Sequence, residues 1–254
     1  MRVRLIRHAT LVVDVAGHRL LVDPMLGDAG TMPALEDTPN PRPNPLVGLP
    51  MPVADVLAGV QAVLITHLHE DHFDPAAAAL LRHDLPVLCQ PEDLDALTEV
   101  GFEDVRPVRR IVQWRGLRFE RTGGRHGTGE IAEAMAPVSG FVVSARHEPV
   151  LYVAGDTIWA PEVEEALADH RPGVTVVNAG EARFLQGDPI TMGIDDVART
   201  AAAAPPGSPV VAVHMEAINH CGLTRDELRE AMAERRLENR VIVPRDGEAL
   251  DFGA

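Results

Sequence analysis

The chain has 254 residues, of which 46% are hydrophobic and 24% charged, so one large domain spanning residues 1–254 can bury a substantial core. Its formal net charge of -15 makes nucleic acid a poor candidate for a partner, because such binding depends on Lys and Arg that displace counterions from phosphates. Bound divalent cations could compensate part of this negative charge, since carboxylates gather around them.

The first elements along the chain are short strands predicted between residues 3 and 23, with a break at Gly17. Their order predicts an antiparallel meander. Residues 24–53 then lose all periodicity, because eight prolines prevent a regular helix or inner strand. A Pro-rich loop of this length is either a flap that covers the substrate or an irregular surface connection, and its length does not decide between the two.

The next stretch alternates buried strands with helices. Residues 61–66 form a continuous apolar run, which predicts a strand buried on both faces. Asp74 followed by Pro75 is a helix-start signal, an N-cap and then a first-turn proline, and predicts a helix over residues 76–82. A short strand at residues 86–89 and a helix over residues 91–100 follow.

Several strands are predicted between residues 105 and 153, and the alternation then continues to the end of the chain. Helices are predicted over residues 161–170 and 194–204, with strands at 174–177, 210–213 and 241–243. Thr224 and Glu227 form a capping box for a helix that ends near residue 236. Two stretches of mixed strands, each followed by helices, predict two packed sheets with helices outside.

The chain has only two cysteines, Cys89 and Cys221, and a protein with this much core needs no disulfide. Its N-terminus alternates charged and apolar residues, and no segment is apolar for the length of a membrane span. We therefore expect a cytoplasmic protein that acts on a small molecule and has no membrane or nucleic-acid partner. The sequence leaves the oligomeric state open, a homo-oligomer included.

The strongest chemical signal lies between Thr66 and Asp74, directly after the predicted buried strand and before a helix N-terminus. This segment holds three histidines and several carboxylates. Neutral imidazole nitrogens suit zinc, and a carboxylate adds charge compensation. The segment therefore predicts metal binding.

These residues resemble the signature of the metallo-β-lactamase superfamily, His-x-His-x-Asp-His at the end of a strand. Four further landmarks of that family occur in the expected order, so the resemblance extends through nearly the whole chain. The signature and the landmarks are His67-Leu-His69-Glu-Asp71-His72, Leu21-Val-Asp23-Pro24, His126 in a Gly-rich loop, Ala154-Gly-Asp156-Thr157 and Val213-His214. The chain is most similar to the ascorbate-phosphate lactonase branch, in segments 7–10, 44–46, 127–129 and 214–216.

The resemblance implies an α/β (α+β) fold, a four-layer αββα sandwich of two mixed β-sheets with outer helices and metal ions at one edge between the sheets. It implies two divalent ions, Zn²⁺ first and Mn²⁺ or Fe²⁺ as alternatives. The ligands it implies are His67, His69 and His126 for the first ion, Asp71, His72 and His214 for the second, and Asp156 as the bridge.

Several assignments compete with simpler interpretations. Asp156 could be a turn residue, and the glycines around His126 could make a mobile loop instead of aiming an imidazole. His214 and His220 compete for one ligand position. We choose His214 because it directly follows an apolar strand, and expect His220 to donate a proton on the substrate side. Asp71 is expected to orient the nucleophile as well as to bind metal.

Residues outside the motif have weaker assignments. His8 and Asp23 are candidates for orienting ligands from outside the metal shell, although a structural role for His8 fits the sequence equally well. We expect Glu70 to be a solvated spacer that faces away. Glu181 and Arg183 touch substrate or are simply solvated, and Cys221 is expected to be a buried, neutral thiol.

These observations predict a metal-dependent hydrolase of a small-molecule ester, lactone, amide or phosphodiester, with a metal-bridging hydroxide as nucleophile. Three alternatives stay open. The first is an iron-dependent redox member of the same fold, although His69 stands where flavodiiron-type members carry Glu. The second is a non-catalytic, metal-stabilised binding protein, which needs only four ligands. The third, a nuclease, is disfavoured by the acidic charge.

Overall fold

The computed structural model describes residues 1–253, which form fourteen strands and seven helices. The strands are β1 (Arg2–Arg7), β2 (Thr10–Val15), β3 (His18–Val22), β4 (Ala62–Leu64), β5 (Val87–Cys89), β6 (Val105–Pro107), β7 (Ile111–Trp114), β8 (Leu117–Thr122), β9 (Gly140–Ser144), β10 (Leu151–Val153), β11 (Val174–Asn178), β12 (Val210–Val213), β13 (Val241–Ile242) and β14 (Ala249–Asp251). The helices are α1 (Val53–Leu57), α2 (Pro75–Leu80), α3 (Leu94–Val100), α4 (Gly129–Met135), α5 (Pro161–His170), α6 (Ile194–Ala203) and α7 (Arg225–Glu234).

The strands form two seven-stranded sheets, in the orders β14-β1-β2-β3-β4-β5-β6 and β13-β12-β11-β10-β9-β8-β7. In the first sheet β1 to β3 pair antiparallel, as the predicted meander requires, and β3 to β6 pair parallel. In the second sheet β7 to β10 pair antiparallel and β10 to β13 pair parallel. The two mixed sheets predicted from the sequence are confirmed.

The sheets pack face to face, because alternate residues of each strand point to opposite faces. Leu11 and Val13 of β2 lie in the same core cluster as Phe119 and Phe141 of the second sheet. Val12, one residue away, instead packs in the cluster that includes residues of α1 to α3. A third cluster joins the outer face of the second sheet to α5, α6 and α7. The four layers are therefore helices, sheet, sheet and helices, as the resemblance implies.

Local signals set several element ends. The Asp74 side chain accepts a hydrogen bond from the Ala77 backbone N–H (2.7 Å) and caps α2, and Thr224 with Glu227 forms the predicted capping box. The helix predicted from residue 91 begins instead with a 3₁₀ turn (Pro91–Asp93). The sequence analysis missed the short elements α1, α4 and β14, which span only three to seven residues and are too brief for a periodic pattern.

The Pro-rich loop follows β3. Residues 23–52, all of them described, form no helix or strand apart from a bridge between Met32 and Asn44. Among the described helices none is both long enough and apolar enough to cross a lipid bilayer.

Candidate metal centre

Four loops bring the histidines and aspartates of the sequence motifs to one edge of the sandwich. They follow β4, β8, β10 and β12, and the last of them begins with His214 directly after β12 (Val210–Val213). The end of a strand holds the side chains that follow it rigidly. In sheets with parallel strands, binding and catalytic sites form in the loops that follow the carboxyl ends of the strands. The second sheet delivers Asp156 and His214 from β10 and β12, and the first delivers residues 67–72 from β4.

The first group of candidate ligands contains His67, His69, His126 and Asp156. One ligand atom from each residue lies within 4.8 Å of those of the other three. His126 Nε2 is 3.3 Å from Asp156 Oδ2, and His67 Nε2 is 3.9 Å from the same oxygen. Three of these residues are buried and His69 is half-buried, facing the cavity described below.

The second group contains His8, Asp71, His72 and His214, again with ligand atoms within 4.8 Å of one another. His214 Nε2 lies 3.3 Å and His72 Nε2 lies 3.8 Å from Asp71 Oδ2. The sequence analysis placed three of these residues at a second ion. The fourth, His8, comes from the end of β1 and contacts the Asp71 carboxylate.

The carboxylate of Asp156 joins the two groups. Its Oδ2 faces His67 and His126, while its Oδ1 lies 3.3 Å from both His72 Nε2 and His214 Nε2. One carboxylate with an oxygen on each side is the arrangement that can hold two cations as close neighbours.

The chemistry of these side chains fits divalent cations. The Nε2 atoms of His72 and His214 are buried and have no hydrogen-bond partner in the described part of the chain. Such unpaired buried nitrogens are rare unless an ion or water binds them. Nitrogen and oxygen ligands at about 2.0–2.1 Å from zinc in a tetrahedron lie about 3.3 Å from each other, which is the spacing of several pairs here.

The electrostatic interactions among the buried histidines and aspartates of the two groups favour positive charge between them. Burial disfavours the ionised Asp156 carboxylate, but the imidazoles of His214, His72 and His126 outweigh burial and hold its pKa well below the usual value. Burial likewise disfavours a charged His214, yet Asp156 and neighbouring groups raise its pKa to about 10. The carboxylates thus hold a positive charge at this place, and a divalent cation would supply it in place of protons.

Hydrogen bonds from outside the two groups fix the candidate ligands. The buried Asp23 carboxylate accepts from the Thr66 backbone N–H (2.7 Å), from Thr66 Oγ1 (2.8 Å) and from His72 Nδ1 (2.9 Å). His126 Nδ1 donates to the Ile190 carbonyl (2.7 Å). Such partners set which ring nitrogen is free to bind metal, so Asp23 has the orienting position expected of it.

Asn178 is a member of this outer layer that the sequence analysis missed. Its Nδ2 donates to Asp156 Oδ1 at 2.6 Å, and its side chain is buried at the end of β11. The available signal was a polar residue at the end of a largely apolar strand, which pairs with the strand that precedes Asp156.

A cavity of about 340 Å³ opens onto both groups. The sequence-predicted residues His69, Asp71, His126, Asp156 and His220 all line it. Its other walls are largely apolar and are formed by Met32, Pro33, Leu35, Leu68, Met135, Phe184, Ile190 and Ile218, with Asn44 and Glu70. Glu70 is exposed, as expected of a solvated spacer, but the expectation that it faces away is wrong, because it borders the cavity.

The Pro-rich loop forms one wall of the cavity and is fixed there by a pair of asparagines. The Asn219 side chain bonds to Leu35, Thr38 and Asn40 of the loop, and Asn44 Nδ2 donates to Asn219 Oδ1 at 2.8 Å. Both asparagines are buried. The loop is thus held as one wall of the cavity onto which the candidate ligands open.

The remaining candidates lie apart from the cavity. Glu181 and Arg183 pair with each other, and neither lines the cavity. Cys221 is half-buried instead of fully buried. Its thiol lies 3.7 Å from His214 Nδ1, and desolvation raises its pKa, so it is neutral as expected.

The chain is similar to proteins of known family. The Beta-lactamase superfamily domain family matches residues 18–215. The UPF0173 protein YddR of Bacillus subtilis is 38% identical over 255 residues, which cover 99% of this chain and 100% of that protein. The crystal structure of an isothiocyanate hydrolase from Delia radicum gut bacteria is 36% identical and superposes with a TM-score of 0.94 over 100% of both chains. A possible metal-dependent hydrolase from Veillonella parvula is 34% identical, with a TM-score of 0.95 over 98% of each chain.

Proposed function

Because the chain belongs to the β-lactamase superfamily, in its UPF0173 group of metal-dependent hydrolases, we propose that it uses two divalent ions to hydrolyse a small, neutral, largely apolar substrate. The observation that carries this proposal is the position of Asp156, whose two carboxylate oxygens face two separate groups of imidazoles. Four ligands complete a structural zinc site, so a single structural ion would not need both groups of candidate ligands.

The proposal assigns six of the seven candidate ligands to one ion each and Asp156 to both. The imidazole-rich composition favours zinc over magnesium or calcium, which prefer oxygen ligands. The assignment is His67, His69 and His126 to the first ion, Asp71, His72 and His214 to the second, and Asp156 to both.

When bound, the two ions would lower the pKa of a shared water toward 7 and polarise the electrophilic group of the substrate. Asp71 lines the cavity, where a carboxylate oxygen can accept a proton of the attacking water and orient it. His220 stands on the substrate side of the ligands, with its ring centroid 6.3 Å from that of His214. Burial lowers the pKa of His220 to about 4, so its ring is neutral near pH 7, and we assign it to donating an N–H hydrogen bond to the leaving group.

The cavity favours a neutral substrate. None of the described residues that line it is Arg or Lys, so a phosphate or carboxylate on the part of the substrate away from the two ions would find no cationic side chain. The apolar walls instead suit an alkyl or aryl substituent. Esters, lactones and amides meet these requirements. Isothiocyanates meet them too, and the 36% identical isothiocyanate hydrolase supports including them.

The test combines metal content with turnover. We expect about two zinc or manganese ions per chain by plasma mass spectrometry. We expect hydrolysis of neutral isothiocyanates, esters or lactones with at least about 10-fold higher kcat/KM than for matched carboxylate-bearing analogues and phosphodiesters. Removal of metal by a chelator should abolish turnover, and added Zn²⁺ should restore it. One iron ion per chain would contradict the proposal. Two bound ions without turnover of any of these isothiocyanates, esters or lactones would contradict it as well.

The assignment of His220 gives a separate prediction. His220 Nδ1 is buried without a hydrogen-bond partner in the described chain, and the ring stacks on Phe184 at the cavity wall. Replacing His220 with Ala should lower kcat by about 100-fold through loss of this hydrogen bond to the leaving group, while two ions stay bound. His220→Gln, which keeps an N–H donor, should recover part of the rate. Loss of metal from His220→Ala would show instead that His220 is a ligand.

A further inference from the structure

His8 reaches the second group of candidate ligands from a place outside the strand-end motif. It follows β1 directly, and the pairing of β1 with β2 shifts register between Leu5 and Arg7. Irregularities of this kind re-aim the side chains beside them. His8 is fully buried and has a left-handed backbone with φ 59°. A non-glycine residue in this conformation is uncommon, and its cost is tolerated mainly where the surroundings fix it for a purpose.

The contact between His8 and Asp71 is a hydrogen bond by its length. His8 Nε2 lies 2.9 Å from Asp71 Oδ2, the same separation as in the outer pair of His72 Nδ1 and Asp23 Oδ2. The imidazole–carboxylate pairs proposed to share an ion are more widely spaced, from 3.3 Å for His214 and Asp71 to 3.9 Å for His67 and Asp156. The imidazoles of His67 and His69 approach to 2.9 Å, but that pair contains no carboxylate. His8 therefore resembles the outer hydrogen-bond partners and not the ligands.

The proton of the His8 ring belongs on Nε2. A carboxylate only accepts, so the nitrogen beside Asp71 must donate. The other nitrogen, Nδ1, is buried without a partner in the described chain. A buried acceptor without a partner is tolerated more readily than a buried N–H, which favours the same tautomer.

His8 also fixes His214. The two rings lie with centroids 3.6 Å apart and planes 37° from parallel. The His214 backbone N–H donates to the His8 carbonyl at 2.9 Å. His8 thus holds both the backbone and the ring of one candidate ligand and the carboxylate of another.

We propose that His8 is a positioning residue for the second ion, holding Asp71 through Nε2–H and His214 through ring and backbone contact. This inference rests on the proposed two-ion function. It assigns His8 no place in the ligand set, because Asp71, His72, His214 and the bridging Asp156 already supply four ligands, and a fifth protein side chain would take the position needed by water or substrate.

The test measures zinc affinity by competition with a chromophoric chelator, and the absorption spectrum after Co²⁺ substitution, with no assay of turnover. His8→Ala should weaken binding of one of the two ions by about 10–100-fold and leave the other ion unchanged. His8→Gln places an amide N–H near the former Nε2 and should restore affinity to within about 3-fold of the wild type. His147→Ala is a matched control, because His147 is exposed and also has a left-handed backbone, with φ 62°.

The outcomes separate this inference from the function on which it rests. Two ions in the wild type with unchanged affinity in His8→Ala overturn the inference alone. A His8→Gln variant as weak as His8→Ala, with an altered Co²⁺ spectrum, identifies His8 as a ligand and overturns it as well. Fewer than two ions in the wild type overturn both. Thermal unfolding of the metal-free variants shows whether a loss of affinity reflects misfolding, and His8→Gln decides the question if His8→Ala does not fold.

Discussion

Replacing Asp156 with Ala is expected to abolish hydrolysis, by about 10³-fold or more in kcat, together with the loss of at least one bound ion. The reason is geometric. Oδ2 of this carboxylate serves the group of His67 and His126, and Oδ1 serves the group of His72 and His214. No other described carboxylate lies between the two groups, so removal of Asp156 separates them and leaves their positive charges facing each other.

Two measurements check this result: metal content by plasma mass spectrometry, and turnover of the isothiocyanate, ester or lactone that the wild type hydrolyses fastest. Asp169→Ala is a suitable control, since Asp169 is an exposed aspartate on α5. His67→Ala should lose metal and activity as Asp156→Ala does, but it removes a ligand of the first group alone. A folded Asp156→Ala variant that retains two ions and normal turnover would refute the proposed site.

Much of this site could be predicted because its ligands follow local rules. Residues 67–72 begin three positions after the end of β4, an apolar strand buried on both faces, and His214 comes directly after β12. Strand ends of packed sheets converge on one edge of the sandwich. A residue's position at a strand end therefore identifies it as a candidate ligand even when no distances are known. The ligand roles themselves stay a prediction that metal analysis must test.

The outer layer could not be predicted in the same way, because its contacts join residues far apart in the chain. Asn178 bonds to Asp156 and Asn219 bonds to Asn44, 175 residues away. A single sequence shows that these residues are polar but not which polar partner they meet. Glu70 was misassigned for a related reason. It was expected to face away as a solvated spacer, but the chain turns at this residue, which borders the cavity.

The segment from Arg7 to Thr10 shows how one short motif supports the site in several ways. Thr10 Oγ1 donates to the Asp23 carbonyl (2.7 Å) and accepts from the Met25 N–H (2.9 Å), where the Pro-rich loop begins. His8 contacts Asp71, and Arg7 contacts the loop itself. The sequence marks this segment by resemblance, but only the structure shows that its side chains connect the loop to the candidate ligands.

Replacing Arg7 with Met is expected to destabilise the fold by about 3 kcal/mol, because three charge-assisted hydrogen bonds are lost. Arg7 is fully buried, and its guanidinium donates to the carbonyls of Met25, Gly27 and Val47, each at 2.9 Å. These carbonyls lie at both ends of the Pro-rich loop. Burial lowers the pKa of Arg7, although Asp74 and other nearby carboxylates oppose the change.

Two measurements check the Arg7 prediction, and together they show whether the loss of stability arises in the Pro-rich loop. In a protein of this size the loss should lower the Tm by about 6–12 °C. Limited proteolysis should become faster within residues 28–43, since the loop would stay attached mainly through the Asn44 and Asn219 contacts. Arg82→Met provides the control, because Arg82 is exposed and pairs with Asp84 at the surface, where such a pair contributes little. If Arg7→Met and Arg82→Met unfold at the same temperature, the three carbonyls find other donors, and the loop depends on the asparagines alone.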